Sequence, residues 1–289
     1  MNAKSLYRKF LNISSKIFGP ALIKKFDARF RFHRIINLKE PVTLSDKLCW
    51  LELYRENPVK IECSDKYAVR DYVKGKGLEE ILVPLCAPVC TKVEDIDFDK
   101  LPNQFAMKAA HGCEMNLICD DKSKLDIEET KKTAKKWLKK DYERACIEPH
   151  YKKIPHRIIF EKYLQDADKI IDYKIHCFHG QPNFVLVCVG RAEKLKLQLY
   201  TLDWQRINGT IGKKKCDDDF EKPRDLDRML EISKILSADF DFVRVDLYDI
   251  NGKVYFGELT FSPASGVLPN FSEEFVREKG KLLNIQTDA

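Results

Sequence analysis

The stretch Phe242-Val-Arg-Val-Asp-Leu-Tyr-Asp-Ile-Asn-Gly-Lys-Val-Tyr-Phe-Gly-Glu-Leu-Thr-Phe-Ser-Pro263 constrains the fold more than any other part of the chain. Two runs rich in Val, Tyr and Phe flank Asn251-Gly252, a pair that tolerates positive φ, so the segment reads as a β-hairpin. Residues two apart on a strand share a face, which groups Arg244 with Asp246 and Glu258 with Thr260. Antiparallel pairing can bring Asp246 and Glu258 to the same end of one face. Two carboxylates converging beside an arginine offer hard oxygen ligands to Mg²⁺, which binds through a few carboxylates plus the phosphates of a nucleotide. The plain alternative is an amphipathic hairpin whose charged face is wet, and spacing alone leaves both readings open.

At 289 residues, with 44% hydrophobic and 33% charged content, the chain can bury a sizeable core as a soluble globular protein. The net charge of +6 suits anionic partners such as nucleotides, acidic sugars or a membrane surface. No Arg-rich, aromatic-interleaved patch argues for nucleic acid, and none is expected as a partner. The 10 cysteines are scattered; Cys86 and Cys90 form the nearest pair, and no second pair completes a zinc site. Reduced thiols in a cytoplasmic protein are therefore expected. No signal peptide and no apolar run of about 18 residues is present, so a membrane span is not expected.

The N-terminal 35 residues set Leu6, Phe10, Leu11, Ile13, Ile17 and Phe18 among Lys4, Arg8, Lys9, Lys16, Lys24 and Lys25. Such a basic amphipathic helix either lies on an anionic bilayer, here the inner face of the membrane, or docks on its own domain. Helices are predicted from Ser45 to Glu56 and, with a Ser/Asp start, from Ser64 to Val73. Ile81 to Leu85 reads as a strand. Gln104 to Ala110 is a strand that leads through His111-Gly112-Cys113-Glu114-Met115-Asn116 into a second strand at Leu117 to Cys119. A strand–loop–strand with Lys108 at the loop mouth can wrap phosphates, although a single glycine makes a poor cradle. Ile127 to Tyr142 reads as a charged helix. Strands at Arg157–Leu164 and Ile171–Phe178 are expected to be joined by the acidic turn Asp166-Ala-Asp168. His179 to Pro182 turns into a strand at Asn183–Val189, Leu226 to Leu236 is helical, and a terminal helix falls in 271–289.

Taken together, Ser64-Asp65-Lys66-Tyr67-Ala-Val-Arg70, Lys108-Ala-Ala-His111-Gly112, Ile159-Phe-Glu161-Lys-Tyr-Leu164, Asp172-Tyr-Lys174 with Phe178-His-Gly180, and Arg244-Val-Asp246 through Pro263 resemble the ATP-grasp superfamily, as seen in D-alanine–D-alanine ligases. The nearest resemblance is to the TupA-like ATP-grasp family of bacterial surface-polysaccharide gene clusters. It implies an α+β fold with two lobes clamping ATP: a helical N-terminal segment at 1–85, a first lobe at 86–164 and a second at 165–289. Lys108 resembles the strand lysine that reaches the α/β-phosphates. His111, Gly112 and Asn116 fall in what looks like the mobile loop over the triphosphate, with His111 among the catalytic candidates. Glu161, Lys162, Tyr163 and Leu164 are similar to the linker that reads the adenine edge, and Asp168 or Asp166 would take the ribose. Lys174 stands where such folds set a cation near the γ-phosphate or acceptor. Asp246 and Glu258 resemble the Mg²⁺ carboxylates, and Arg244 the arginine that steadies the acyl-phosphate. Thr260 occupies the place of the usual third metal ligand, an asparagine, and the phosphate loop is glycine-poor for the family.

The reaction so implied is ATP-dependent ligation of a carboxylate to an amine. The resemblance suggests a hexuronic acid of a capsule or O-antigen as the carboxylate, free or polymeric, and an amino acid or amino alcohol as the amine. A polysaccharide glycosyltransferase, a sugar kinase and a non-catalytic assembly factor are the competing readings. Asp217-Asp218-Asp219 is a weak candidate for the metal motif that a transferase needs. Replacing Asp246 or Glu258 by its amide is expected to abolish ATP turnover with the fold intact.

Overall fold

The computed structural model describes residues 3–141, 147–164, 171–190 and 195–286. The chain forms two compact units: Met1–Asn57 with Cys146–Pro149 and Asp168–Ala289, and Pro58–Ala145 with His150–Ala167. The predicted N-terminal segment 1–85 is thus divided, its first 57 residues belonging to the unit that holds the C-terminus.

The larger unit is built on a six-stranded antiparallel sheet in the order β7-β6-β5-β4-β8-β9. Its strands are β4 (Asp172–Phe178), β5 (Gln181–Val189), β6 (Lys196–Tyr200), β7 (Arg206–Ile207), β8 (Phe242–Ile250) and β9 (Lys253–Thr260). His179 and Gly180, at φ 47° and 75°, close the β4–β5 hairpin in two residues, so β5 starts at Gln181 and takes Pro182 into the strand. Asn251 and Gly252, at φ 56° and 78°, close β8–β9, and the Asp249 carboxylate accepts from Gly252 N–H at 2.9 Å.

Alternation along these strands gives the sheet two different faces. Tyr173, Ile175, Cys177, Val243, Val245 and Leu247 point to one side, where α7 (Leu226–Ser237) packs against β4, β5 and β8. On the other side, Phe178, Phe184, Leu186, Leu199 and Phe242 form a core with Leu44, Leu48, Phe275 and Val276. These last four come from α3 (Leu44–Tyr54) and α8 (Glu273–Gly280). A capping box opens α3, with Thr43 and Asp46 each accepting from the other's backbone N–H. Lys47 of α3 donates to the carbonyls of Gly280 and Leu283 at 2.8 Å each, tying α3 to the chain that leaves α8. These contacts explain why the N-terminal residues join the C-terminal unit.

The amphipathic stretch at the N-terminus is two helices, α1 (Ala3–Phe18) and α2 (Pro20–Phe32). Gly19 at φ 79° and Pro20 at the first turn of α2 break the run.

The smaller unit holds α4 (Pro58–Ser64), α5 (Val69–Gly75), α6 (Ile127–Leu138) and a sheet in the order β2-β1-β3. Its strands are β1 (Phe105–Ala109), β2 (Asn116–Cys119) and β3 (Ile158–Lys162). Phe105, Met107, Cys119, Ile158 and Phe160 bury one face with Ala134 of α6. The helix expected at Ser64–Val73 begins only at Val69, because the Asp65 carboxylate bonds the N–H groups of Tyr67 and Ala68 and holds the chain in a turn. The strand expected at Ile81–Leu85 is a single bridge from Leu85 to Glu161. The predicted pair at 157–164 and 171–178 is also split: β3 and β4 belong to different sheets. The turn drawn at Asp166–Asp168 lies outside the described residues.

Candidate functional site

In the larger unit, three strands bring one line of charged side chains together. Lys174 of β4 pairs with Asp246 of β8, and Asp246 pairs with Glu258 of β9. Beside that line, Arg244 pairs with Thr260. Opposed residues share a face, so all five side chains project to the same side of the sheet.

The register depends on a bulge. The Asn251-Gly252 turn starts β8–β9 with Ile250 opposite Lys253, a register that would set Asp246 opposite Gly257. A shift between Asp246 and Leu247 inserts Gly257 as an extra residue and moves Glu258 opposite Asp246. Without it, Glu258 would face the α7 side. A Cβ on Gly257 would sit 2.9 Å from the Asp246 carbonyl oxygen and 3.1 Å from the Tyr248 ring, so the bulge closes only on glycine.

Asp246 is 1% exposed and shares its carboxylate among cations. Arg244 Nε and Nη2 donate to its two oxygens at 2.6 Å each, and Lys174 Nζ donates to Oδ2 at 2.5 Å. Burial alone would raise the Asp246 carboxyl, but Arg244 and then Lys174 outweigh it and hold the group below its ordinary range. The same pairing reverses the burial effect on Lys174, which rises. The Thr260 hydroxyl accepts from Arg244 Nη2 at 3.0 Å and donates to Glu258 Oε1 at 3.2 Å. Glu258 lies 3.6 Å from Arg244 and is more open than Arg244, Lys174 or Asp246, its side chain 38% exposed.

The donor set suits Mg²⁺: two carboxylates and a hydroxyl, all hard oxygens, on neighbouring strands. Among the described residues no group of three or more His, Cys, Asp or Glu side chains could hold a metal ion by itself. An ion here would complete its shell with phosphate oxygens or water, the usual habit of Mg²⁺.

In the smaller unit, Lys108 Nζ donates to Glu161 Oε2 at 2.5 Å, and Arg70 Nη1 lies 3.8 Å from Glu161 Oε1. Asn116 pairs with Lys108 across β1–β2, is exposed, and shares that face. Lys162 is exposed at the end of β3, and Tyr163 and Leu164 follow it half-buried. Gly112 is buried, and its carbonyl accepts from Lys66 Nζ at 2.6 Å. Glu114 takes φ 59° in the loop, where a glycine would be unstrained. Arg157 bonds the Asp65 carboxylate, with its guanidinium 4.8 Å from the Tyr67 ring centroid.

His111 is not set for catalysis. It is fully buried, Nε2 contacts the Trp137 carbonyl at 3.1 Å, and the ring stacks on His156 at 4.0 Å. Burial, then the neighbouring His156, push it down to about 4, which keeps it neutral. Asp168 lies outside the described residues. The Asp217–Asp219 triplet is tied up in surface ion pairs with Arg206, Lys196 and Lys215.

Sequence reasoning gave no role to Arg70, Gly257 or His176. Arg70 stands in the Ser64–Arg70 motif, but its reach to Glu161 depends on the fold. His176 is buried beside the charged line, opposite Arg244 on the same face, with Nδ1 3.0 Å from the Lys174 carbonyl and its ring 4.2 Å from that of Phe184.

A family model described as TupA-like ATPgrasp matches residues 46–284. No curated protein matches the chain. Among solved structures, the D-alanine–D-alanine ligase of Bacillus anthracis is similar at 17% identity and TM-score 0.47, over 76% of this chain and 62% of that one. The ATP complex of that ligase gives 17% and 0.44, over 69% and 55%. D-cycloserine synthetase DcsG gives 14% and 0.46, over 78% and 72%. The chain therefore spans less than two thirds of the length of the Bacillus anthracis ligase.

Proposed function

The chain belongs to the TupA-like ATP-grasp family, and from that premise we propose that it is an ATP-dependent carboxylate–amine ligase. The observation that carries this reading is the line Lys174–Asp246–Glu258, flanked by Arg244 and Thr260, on one face of the sheet. Cations and hard-oxygen donors packed together suit chemistry on a polyphosphate.

In this reading Asp246 and Glu258, with the Thr260 hydroxyl beside them, would hold Mg²⁺, which when bound offsets phosphate charge. Lys108 offers its ammonium to the phosphates, exchanging Glu161 for a stronger anion. An oxygen of the acceptor carboxylate attacks the γ-phosphorus of ATP, and the bridging P–O bond breaks with its electron pair leaving on ADP. The amine nitrogen then attacks the acyl carbon, the C–O bond to phosphate breaks, and the amine proton passes to water. Lys174 and Arg244 neutralise the negative charge that grows in both steps. His111 takes no part.

The polysaccharide-cluster resemblance and the net charge of +6 support a hexuronic acid of a capsule or O-antigen as the carboxylate substrate. An amino acid or amino alcohol is the amine, and the work is done in the cytoplasm. The test is ADP release over a panel of uronic acids crossed with amines, with product masses. Release that requires both partners and yields an amide is expected. A stable phosphosugar formed without amine would replace the ligase by a kinase, and a released nucleoside diphosphate from a sugar nucleotide would replace it by a glycosyltransferase.

A further inference from the structure

The helix pair α1–α2 presents an apolar face that the larger unit leaves uncovered. Its inner side is already used: Leu11 and Ile23 pack with Ile147, and Ala28 packs with Cys49 and Val267. Polar groups lock that orientation. The buried Lys24 ammonium donates to the Ile147 carbonyl at 2.9 Å, and Asp27 accepts from Tyr7 and Arg31. The outer side carries Leu6, Phe10, Ile13 and Ile17 at helical spacing on α1, and Leu22, Phe26 and Phe30 on α2. These side chains are between 43% and 71% exposed. Phe10 meets Phe26 at 5.9 Å between ring centroids, so the two rows join into one patch rather than standing as scattered residues.

We propose that this face docks on an anionic membrane surface, its apolar side chains at the headgroup–acyl boundary. Charge selects this occupant. Asp27 is the one acidic residue among the first 35, and it is buried and paired with Arg31, while Lys16, Lys25 and Arg29 are exposed around the patch. A second copy would bring the same positive charge against itself, whereas anionic headgroups attract it. Docking on the chain's own core and docking on a bilayer use opposite sides of the same helices. The inference stands on the helix pair alone and does not depend on the ligase reading.

The experiment is flotation of the full chain with phosphatidylglycerol-containing vesicles and with neutral phosphatidylcholine vesicles, at low and high salt. Wild type is expected to float with anionic vesicles and to be released by salt. The variant Lys16→Gln/Lys25→Gln/Arg29→Gln should bind anionic vesicles on the order of a hundredfold more weakly, at about fivefold for each charge. Phe10→Ser/Ile13→Ser/Phe26→Ser should lose more than about tenfold. All six positions are exposed, so unfolding midpoints should match wild type. Absence of wild-type flotation, or binding unchanged in both variants, overturns the proposal. So does a dimer seen by light scattering that the apolar variant returns to monomer while no vesicle binding occurs, because the face would then join two copies.

Discussion

The Lys174 ammonium lies 2.5 Å from Asp246 Oδ2, the same oxygen to which Arg244 Nη2 donates at 2.6 Å. Both oxygens of a carboxylate that is 1% exposed are thus engaged by cations, while Glu258 stays comparatively open. The two acidic residues of the candidate site should therefore differ on mutation. Asp246→Asn leaves two largely buried cations against a neutral amide, so the intact fold expected from sequence gives way to a loss of about 3–5 kcal/mol of stability as well as of ADP production. Glu258→Gln should change stability by no more than about 1 kcal/mol and still lose ADP production. Urea unfolding beside an ADP assay checks this. Equal stability losses would mean that Asp246 is not the hub of the charge cluster.

Gly257 is the residue on which the alignment of Asp246 with Glu258 turns. Gly257→Ala sets a Cβ 2.9 Å from the Asp246 carbonyl oxygen, closer than real Cβ atoms come, and tight against the Tyr248 ring. The bulge must shift, and with it the Glu258 carboxylate. We expect kcat/KM to fall at least about tenfold with a smaller loss in stability, since misplacing a reacting group by about 1 Å costs far more in rate than in packing. Unaltered kinetics in a folded variant would detach the bulge from the site.

The hairpin, its turn and the company of Arg244, Asp246, Glu258 and Thr260 were all legible in the sequence, because period-two alternation and Asn-Gly are local signals. The bulge was not. A single inserted residue leaves no mark on composition, and counting back from the turn would have sent Glu258 to the opposite face. Lys108 with Glu161 was half legible: each could be named, but their contact requires β1 and β3 to pair across more than forty intervening residues. The same limit hid Arg70. His111 misled for a related reason, since its position in the loop says nothing of the His156 ring that stacks on it. The break in the N-terminal helix was written in Gly19-Pro20, which the periodicity of the flanking apolar residues obscured.

Lys108 and Glu161 form a charge-assisted bond at 2.5 Å with Arg70 3.8 Å from the same carboxylate. If Lys108 meets phosphate, Lys108→Ala should weaken ATP binding about tenfold or more, the usual yield of one charged hydrogen bond. Glu161→Gln, which frees the lysine from its anion, should weaken it less. Calorimetric titration with ATP measures both. Equal affinity for Lys108→Ala and wild type would remove the lysine from the phosphate site.

His176 and His111 give the chain a defined sensitivity to acid. His176 is 1% exposed; burial, and then the Arg244 charge, push its imidazole down to about 3. His111 is pushed down to about 4. An unfolded histidine takes its proton near pH ~6.5, and these two do so only well below that when folded. Between those values the unfolded chain binds more protons, so stability is full above pH ~6.5 and falls as the solution is acidified through the window. At pH ~5 each histidine should have cost about 2 kcal/mol. Asp246 contributes in the same sense, but only at pH values below the ordinary carboxylate range, so it does not enter this window. Urea unfolding between pH ~7 and ~5 should show the decline, and His176→Phe should remove about half of the slope while losing the hydrogen bond to the Lys174 carbonyl at all pH values. A wild-type curve that is flat across the window would mean that both rings open to water in the folded state, and the burial of His176 beside Arg244 would have to be redrawn.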